Sequence, residues 1–485
     1  MVGGTTQARP AFAPGPVAAV AGAVGALLLL TSGRYGYHRD ELYFLSAGKH
    51  LAWGYPDQPP LTPLLARLMS ALAPGSLVAL RLPSTLMAVA VVVLAAVIAR
   101  DLGARRGGQV LAAAATGLNA FVLATGHRLS TATGGLLGWT VMTVLLVRTL
   151  RGGARGWWLL LGLAAGVTML ANVLAAFLLL AVLLAVLLVG PRDVLRSRWP
   201  WLAGLLAVAL VSPYLVWQAR HGWPQQDVAR NIASGGSGTS EPRALFVPMQ
   251  AAMTGPWLTP IWVVGLVALL RDARLRCLAV AYLLLCGLFV VLGGKPYYVA
   301  GLYPLLLAAG AQPLVDWARR RWLVPALLVL SAPVLLVVLP LLPARSAGVV
   351  LGVNYDAGET IGWPQYVAQV AAVHRLQGPG TAVLAGNDGE AGAIDRYGPA
   401  LGLPGAFSGH NGYGLWGPPP AGTTTVVAVG IPVEVLHKAF TDVRAAGRLH
   451  NSEGIDNDEQ GQPLFVCTGP RRPWEQLWPE LVHVD

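Results

Sequence analysis

Eleven apolar runs constrain this chain more than any other feature. They fall at about 14–32, 77–99, 108–126, 134–149, 157–171, 173–189, 200–217, 256–270, 276–293, 296–313 and 323–343, most of them near the length that carries a helix across ~30 Å of hydrocarbon. A backbone in lipid must satisfy its own polar groups, so such runs predict helices. Composition agrees: of 485 residues 55% are hydrophobic and only 12% charged, where soluble domains carry about 25% charged residues. A water-soluble enzyme is excluded.

Charge divides the chain in two. Before residue 346, 27 Lys and Arg stand against 9 Asp and Glu; beyond it the counts are 7 and 14. The arginines gather in alternate connections: Arg100, Arg105, Arg106; Arg148, Arg151, Arg155; Arg192, Arg196, Arg198; Arg271, Arg274, Arg276; and Arg319, Arg320, Arg321. Short basic clusters between apolar runs encode orientation in a membrane rather than the tracking of a phosphate backbone, so nucleic acid is not an expected partner. The positive-inside rule puts these loops and the N-terminus in the cytoplasm, and residues 33–76, 218–255 and the acidic tail outside. Arg9 before an apolar run also suits a signal peptide, but the length of the run favours an anchor. The cysteines, Cys277, Cys286 and Cys467, are odd in number and lack metal-ligand spacing.

The expected fold class is a polytopic α-helical membrane protein of the plasma membrane with about eleven spans, followed by an extracytoplasmic α/β domain. The expected division is 1–345, with a first outer loop at 33–76, and 346–485. Within the loop, Asp40 to Ala52 reads as a short helix. Pro59-Pro60 opens a second, with Leu61, Leu64, Leu65, Leu68 and Leu72 at helical spacing, and both suit the membrane interface. The tail alternates β-runs at Thr381–Ala385, Thr424–Val429 and Leu464–Cys467 with helical stretches at Gln365–Arg375 and Val433–Ala446. Gly-rich 234–238 is a loop tip.

Asp101, Asp193, Asp272 and Asp316 lie beside cytoplasmic arginines, and charge balance accounts for them. Asp40, Glu41 and Asp57 share the first outer loop with His38, Arg39, Lys49 and His50. First-turn acids are favoured by the helix dipole alone; equally, desolvation at a membrane surface suits a carboxylate to act as a base. In the tail, Gly386, Gly389 and Gly392 have the spacing of a weak nucleotide motif after a strand, which an outer location opposes. Trp363, Tyr397, His410, Asn411, Tyr413 and Trp416 suit sugar stacking or, more simply, the domain core.

The Asp-Glu pair, the downstream Pro-Pro-Leu, the outer Gly-Lys-Pro-Tyr-Tyr ahead of Tyr303-Pro304, and the tail segment GNDGEAGAIDRYG together resemble bacterial glycosyltransferases of the dolichyl-phosphate-mannose protein mannosyltransferase superfamily. These have the GT-C fold and include the transferase that places aminoarabinose on lipid A. The resemblance covers nearly the whole chain. It implies transfer of a sugar, mannose being the commonest in the family, from a polyprenyl-phosphate carrier to an acceptor hydroxyl of a protein, lipid or glycan at the outer face. Asp40 takes the place of the base and Glu41 a supporting one, with Asp57 the remaining acidic candidate. Lys295 is the candidate phosphate ligand, beside Tyr297 and Tyr298, which suit the interface.

The chain departs from that pattern at two points. Gln58 stands where aminoarabinose-type relatives have Lys before Pro-Pro-Leu, leaving Arg39, Lys49 or His50 as substitutes. The loop HRLSTATGG has Gly134-Gly135 where many relatives carry Asp, with His127 and Arg128 as local polar groups. No cofactor is indicated, and a carboxylate-bound divalent metal loses its expected ligand. A transporter or flippase for lipid-linked sugars, and an inactive relative that binds them, are the rival readings. A transporter would carry ionisable groups within spans, and here the charges stand at span ends.

Overall fold

The computed structural model describes residues 9–235, 241–318 and 322–484; the expected cluster Arg319, Arg320, Arg321 and positions 236–238 of the glycine-rich tip lie outside them. Two compact units emerge, neither continuous in sequence. One comprises the described residues of Met1–Leu30, Arg81–Val216 and Ile232–Leu335; the other comprises Thr31–Leu80, Trp217–Asn231 and Leu336–Asp485. The second unit therefore joins the first loop to the tail domain, a grouping that cuts across the linear division expected at residue 345.

Each of the eleven apolar runs falls on helix, but helix length alone supports fewer full spans. Among the described residues, Pro14–Thr31, Leu77–Asp101, Thr131–Leu150, Arg198–Arg220 and Pro296–Trp317 are long and apolar enough to cross a membrane, five in all, or up to seven if two bent pairs are each one span. Gly156–Met169, with 14 residues, reaches only about 21 Å at 1.5 Å per residue. The bends have local causes. Between Arg106–Gly117 and Ala120–His127 the axis turns by 57°, and Asn119 caps the second helix by accepting from Val122 N–H at 3.1 Å. Between Arg243–Thr254 and Pro256–Arg271 it turns by 87°, because Gly255 has φ 104° and Pro256 starts the next helical turn.

Close packing brings helices of the helical unit into backbone contact. Gly265 in the Thr259–Arg271 helix faces the Leu306 carbonyl, and Gly310 in the Tyr303–Trp317 helix faces the Ile261 carbonyl, with no room for a Cβ at either. Small residues that let helix backbones touch are a usual membrane device, since lipid supplies little hydrophobic drive for helices to associate. A buried Gln250 ties its own helix to two further segments: its Nε2 donates to the Phe246 carbonyl one turn back at 3.0 Å and to the Pro296 carbonyl at 2.9 Å, and its Oε1 accepts from Tyr303 OH at 2.7 Å.

The tail domain is a five-stranded mixed sheet, β1 (Ala382–Ala385), β2 (Ala406–Ser408), β3 (Thr425–Val429), β4 (Phe440–Arg448) and β5 (Pro463–Pro470), ordered β2-β1-β3-β5-β4. The first three strands are mutually parallel; β5 runs antiparallel to β3 and β4. Trp363–His374 is helical close to expectation. The helix expected over Val433–Ala446 is a correction: it stops at Ala439, and Phe440 begins β4. Phe440 is fully buried and the segment finds ladder partners along β5 from Pro470 to Pro463, so tertiary pairing overrides local helix preference. β2, only three residues long, carries too little pattern to be read in advance.

In the first loop the helix runs Arg39–Ala47 rather than to Ala52. Gly48 ends it where a Cβ would meet the Pro63 carbonyl and Arg67 N at 3.0 and 3.1 Å, and Tyr55 OH ties down the following turn by donating to the Ala47 carbonyl at 3.0 Å. The second loop helix, Leu61–Leu72, follows Pro60 as expected. Replacing Gly310 with leucine should push apart the helices that meet at Gly265. The expected outcome is a loss of monodisperse protein in detergent, with Gly204→Leu, which faces open space, behaving as wild type on the same size-exclusion column.

Candidate functional site

The Arg39–Ala47 helix begins with a reciprocal cap. His38 Nδ1 accepts from Asp40 N–H at 3.2 Å, and Glu41 Oε2 accepts from His38 N–H at 2.9 Å. Glu41 is fully buried in this role. Asp40, one residue earlier, keeps half of its side chain (51%) open to solvent, with a carboxylate oxygen 3.6 Å from His38 Nδ1. His38 Nε2 lies 3.8 Å from Asp356. The two adjacent acids thus have different situations: Glu41 holds the helix start, and Asp40 projects from it.

The helix packs against Asp388–Tyr397 of the tail domain through glycines. A Cβ at Gly392 would meet the Leu42 carbonyl carbon at 2.6 Å, and one at Gly389 the Arg39 Cβ at 2.8 Å. Gly386 lies against the Gly430 backbone. The glycine spacing that suggested a nucleotide loop is accounted for by these backbone approaches. Asn387 and Glu390 form a second capping box, Asn387 accepting from Glu390 N–H at 2.8 Å.

That packing sets Arg39 among carboxylates. It donates to Asp458 at 2.9 Å. Burial opposes its charge, but Asp388, Asp40, Glu359 and Glu459 more than compensate and hold the guanidinium firmly protonated. Burial raises Glu459, and so does the neighbouring Glu390; burial likewise raises Glu359 and Glu390. Arg39 is therefore already matched by tail-domain acids.

Asp57 stands in a second network. Tyr43 OH donates to its Oδ1 at 2.7 Å, while accepting from Gly412 N–H at 3.1 Å. Burial, helped by the nearby charge of Asp388, pushes the Asp57 carboxyl up to about 7, against the opposing bond from Tyr43. Asp388 goes the other way. Although burial raises it, His410, at 3.4 Å, and Arg39 keep it ionised far below the usual range, and Asn411 Nδ2 donates to it at 2.9 Å. Two desolvated carboxyls, one charged and one half-titrated near neutrality, are a familiar arrangement where proton transfer is required. Gln58, next in sequence, is buried, and neither atom of its side-chain amide has a hydrogen-bond partner among the described residues.

Lys49 and His50 lie beyond the other end of the helix, past the Gly48 cap. His50 stacks on Trp416 at 4.3 Å and is lowered by burial and by Lys49. Lys295, Tyr297 and Tyr298 belong to the helical unit. Lys295 is half-buried after the left-handed Gly293; Tyr297 stacks on Phe121 at 5.8 Å, and Tyr298 meets Phe289 edge-on at 5.2 Å. Gln250, through the Pro296 carbonyl, fixes the backbone beside Lys295. His127 is buried at a helix end. Among the described residues no group of three or more His, Cys, Asp or Glu side chains is arranged to hold a metal ion.

Sequence reasoning missed Tyr43, Asp388, Glu359 and Glu459. The Asn387-x-x-Glu390 box was a readable sign that a helix starts at Asp388; nothing local marks Tyr43. His410, Asn411, Tyr413 and Trp416 were read as core rather than sugar contacts. They surround the Asp57 and Asp388 network, Tyr413 OH donating to Asp395 at 2.6 Å and lying 2.7 Å from Ser46 Oγ.

Residues 57–217 match the family described as dolichyl-phosphate-mannose-protein mannosyltransferase. No curated protein matches the chain by sequence. Among solved structures, the chain is similar to ArnT from Cupriavidus metallidurans bound to undecaprenyl phosphate, at 14% identity and TM-score 0.62, covering 94% of this chain and 98% of that one. The apo state of the same protein gives 0.57 at 14% identity, over 92% and 97%. The arabinofuranosyltransferase AftD from Mycobacteria gives 0.51 at 16% identity, over 95% of this chain and 42% of that one. At these identities the likeness establishes the fold.

The raised Asp57 carboxyl has a consequence for stability. Its folded pKa, about 7, lies above the ordinary carboxyl value of 3.8, so the folded state binds the proton more tightly. The contribution is complete below pH ~4 and is lost as pH rises to about 7, beyond which it is flat. A shift of this size corresponds to about 4 kcal/mol as an order of magnitude. Asp57→Asn should therefore flatten the fall in thermal midpoint between pH 4.5 and 7.5 relative to wild type; parallel wild-type and variant curves would show that Asp57 is ionised throughout.

Proposed function

From a GT-C glycosyltransferase fold and a match to the dolichyl-phosphate-mannose-protein mannosyltransferase family over residues 57–217, we propose a multi-pass membrane enzyme. It transfers a sugar from a polyprenyl-phosphate carrier to an acceptor hydroxyl at the extracytoplasmic face. The observation that carries the assignment of roles is the division among the three loop carboxyls. Glu41 is consumed in a cap and Asp57 accepts from Tyr43, while Asp40 is held on a rigid helix start with its carboxylate open. An acceptor can reach only the last of these without dismantling the local structure.

In the proposed reaction the acceptor oxygen attacks the anomeric carbon from the face opposite the phosphate, with inversion. Its proton passes to Asp40, the bond from the anomeric carbon to the phosphate oxygen breaks, and the polyprenyl phosphate departs with the electron pair. Asp57 lies in the Tyr43 network as a carboxyl tuned to neutrality, and it supports the base by holding loop and tail domain in register. Lys295 supplies positive charge to the departing phosphate, and the unpartnered amide of Gln58 offers a neutral donor where relatives of the aminoarabinose type have a lysine. Arg39, bound up with Asp458 and its neighbours, serves as a positioning residue. Mannose is the donor sugar to try first. The bound undecaprenyl phosphate of the Cupriavidus protein supports a lipid-phosphate donor.

Asp40→Asn keeps shape and removes basicity. Turnover with polyprenyl-phosphate sugars and acceptor-containing membranes should fall by about two orders of magnitude or more, with donor binding retained. Unchanged turnover would transfer the role to Asp57. Lys295→Met should cost roughly 2–4 kcal/mol of transition-state stabilisation, seen in turnover as well as donor affinity, and Lys295→Arg should restore part of it. Wild-type turnover of Lys295→Met at saturating donor would exclude the role. Orientation is checked with single cysteines in a Cys-free background: the exposed positions 235 and 422 should react with an impermeant thiol reagent in intact cells, and position 153, also exposed, should not.

A further inference from the structure

The unit formed by the first loop and the tail domain contains a cleft of about 290 Å³ that the proposed reaction does not use. Its lining includes three cations, Lys49, Arg67 and Arg396, together with the hydroxyl-bearing Ser70 and Ser76. Among the described residues the side chains of Lys49 and Arg67 have no hydrogen-bond or ion-pair partner. Arg396 is held in place: it donates to the Gly75 carbonyl at 3.4 Å and lies over the Tyr37 and Tyr397 rings at 5.5 and 5.4 Å. One carboxylate, Asp395, also lines the cleft, but it is engaged by Ser46 Oγ at 3.1 Å, Tyr413 OH at 2.6 Å and Ala406 N–H at 3.0 Å. The cleft is thus a cationic cavity whose only acid among the described residues is already hydrogen-bonded from three directions.

The Leu61–Leu72 helix tells what kind of anion would enter. Its buried face carries Thr62, Pro63 and Ala66. The opposite face exposes Leu64, Leu68 and Leu72, the last to 70%. By their position along the helix, Arg67 falls on the flank between the two faces and Ser70 on the buried one, and both line the cleft. Leu51 and Trp53, just after Lys49, are exposed as well. A helix with an exposed apolar face and a basic flank, beside an exposed tryptophan, lies in the plane of a membrane interface, where Lys and Arg heads meet lipid phosphates.

We propose that this cleft is a binding site for the phosphate of an anionic membrane lipid, whose acyl chains lie against Leu64, Leu68 and Leu72. The site is separate from the Asp40 chemistry and does not rest on the glycosyltransferase reading. The lipid anchors the first loop and the tail domain as one body, because Lys49 and Arg67 come from the loop and Arg396 from the tail.

The test uses full-length protein in neutral detergent, titrated with dioleoyl phosphatidylglycerol or dioleoyl phosphatidylcholine and read by native mass spectrometry. Wild type should retain phosphatidylglycerol in preference to phosphatidylcholine. Lys49→Gln and Arg67→Gln should each weaken one phosphatidylglycerol site by about fivefold, and the double variant should lose one bound lipid. Arg67→Lys should keep most of the affinity, which separates charge from folding. Equal retention of the two lipids, or a double variant with the wild-type lipid count, would overturn the proposal. Displacement of that lipid by millimolar inorganic phosphate alone would overturn its lipid character and leave a site for free phosphate.

Discussion

The contact on which the loop and tail unit depends is the one between the Arg39–Ala47 helix and the Asp388–Tyr397 helix. Gly389 and Gly392 let the two backbones approach until a methyl group would not fit. The electrostatics around Arg39, Asp57 and Asp388 follow from that distance. It brings Asp388 near Arg39 and Asp57, and it places the Gly412 N–H on the Tyr43 hydroxyl that in turn holds Asp57. Desolvation of these groups and their closeness to one another both rest on that approach.

The arrangement separates three tasks that adjacent acids in one loop would otherwise share. Glu41 caps, Asp57 is tuned by desolvation, and Asp40 remains open. Placing Asp40, the proposed base, on the first turn of a reciprocally capped helix costs it little conformational freedom, and this is the kind of preorganisation that acid–base transfer rewards. Buried charges elsewhere are matched: Arg39 meets four tail-domain carboxyls, and Asp101 lies against Arg148 at 2.6 Å in the helical unit.

Much of this was legible in advance. The apolar runs announced the helices, the arginine clusters suggested an orientation, and the Asp-Glu and Pro-Pro-Leu signals pointed to the loop that carries the candidate base. Two loop helices and three strands were legible from periodicity and proline. The helix expected through Ala446 was not, because Phe440 to Arg448 pairs with β5, and strand pairing is a long-range event that no window of sequence contains. The glycine triplet was visible but its purpose was not, since a turn around a phosphate and a close helix crossing demand the same residue.

What the sequence by itself determined is what depends on local composition: apolar length and charge placement, and hence a membrane chain with an α/β tail. What only the tertiary structure decided is which acids are desolvated and by what. Asp57 is an unremarkable aspartate in its own segment; its carboxyl is raised to about 7 by burial and by Asp388, which stands far along the chain. Proton affinity depends on the solvent a group loses and the charges it gains, and both are properties of the assembled fold.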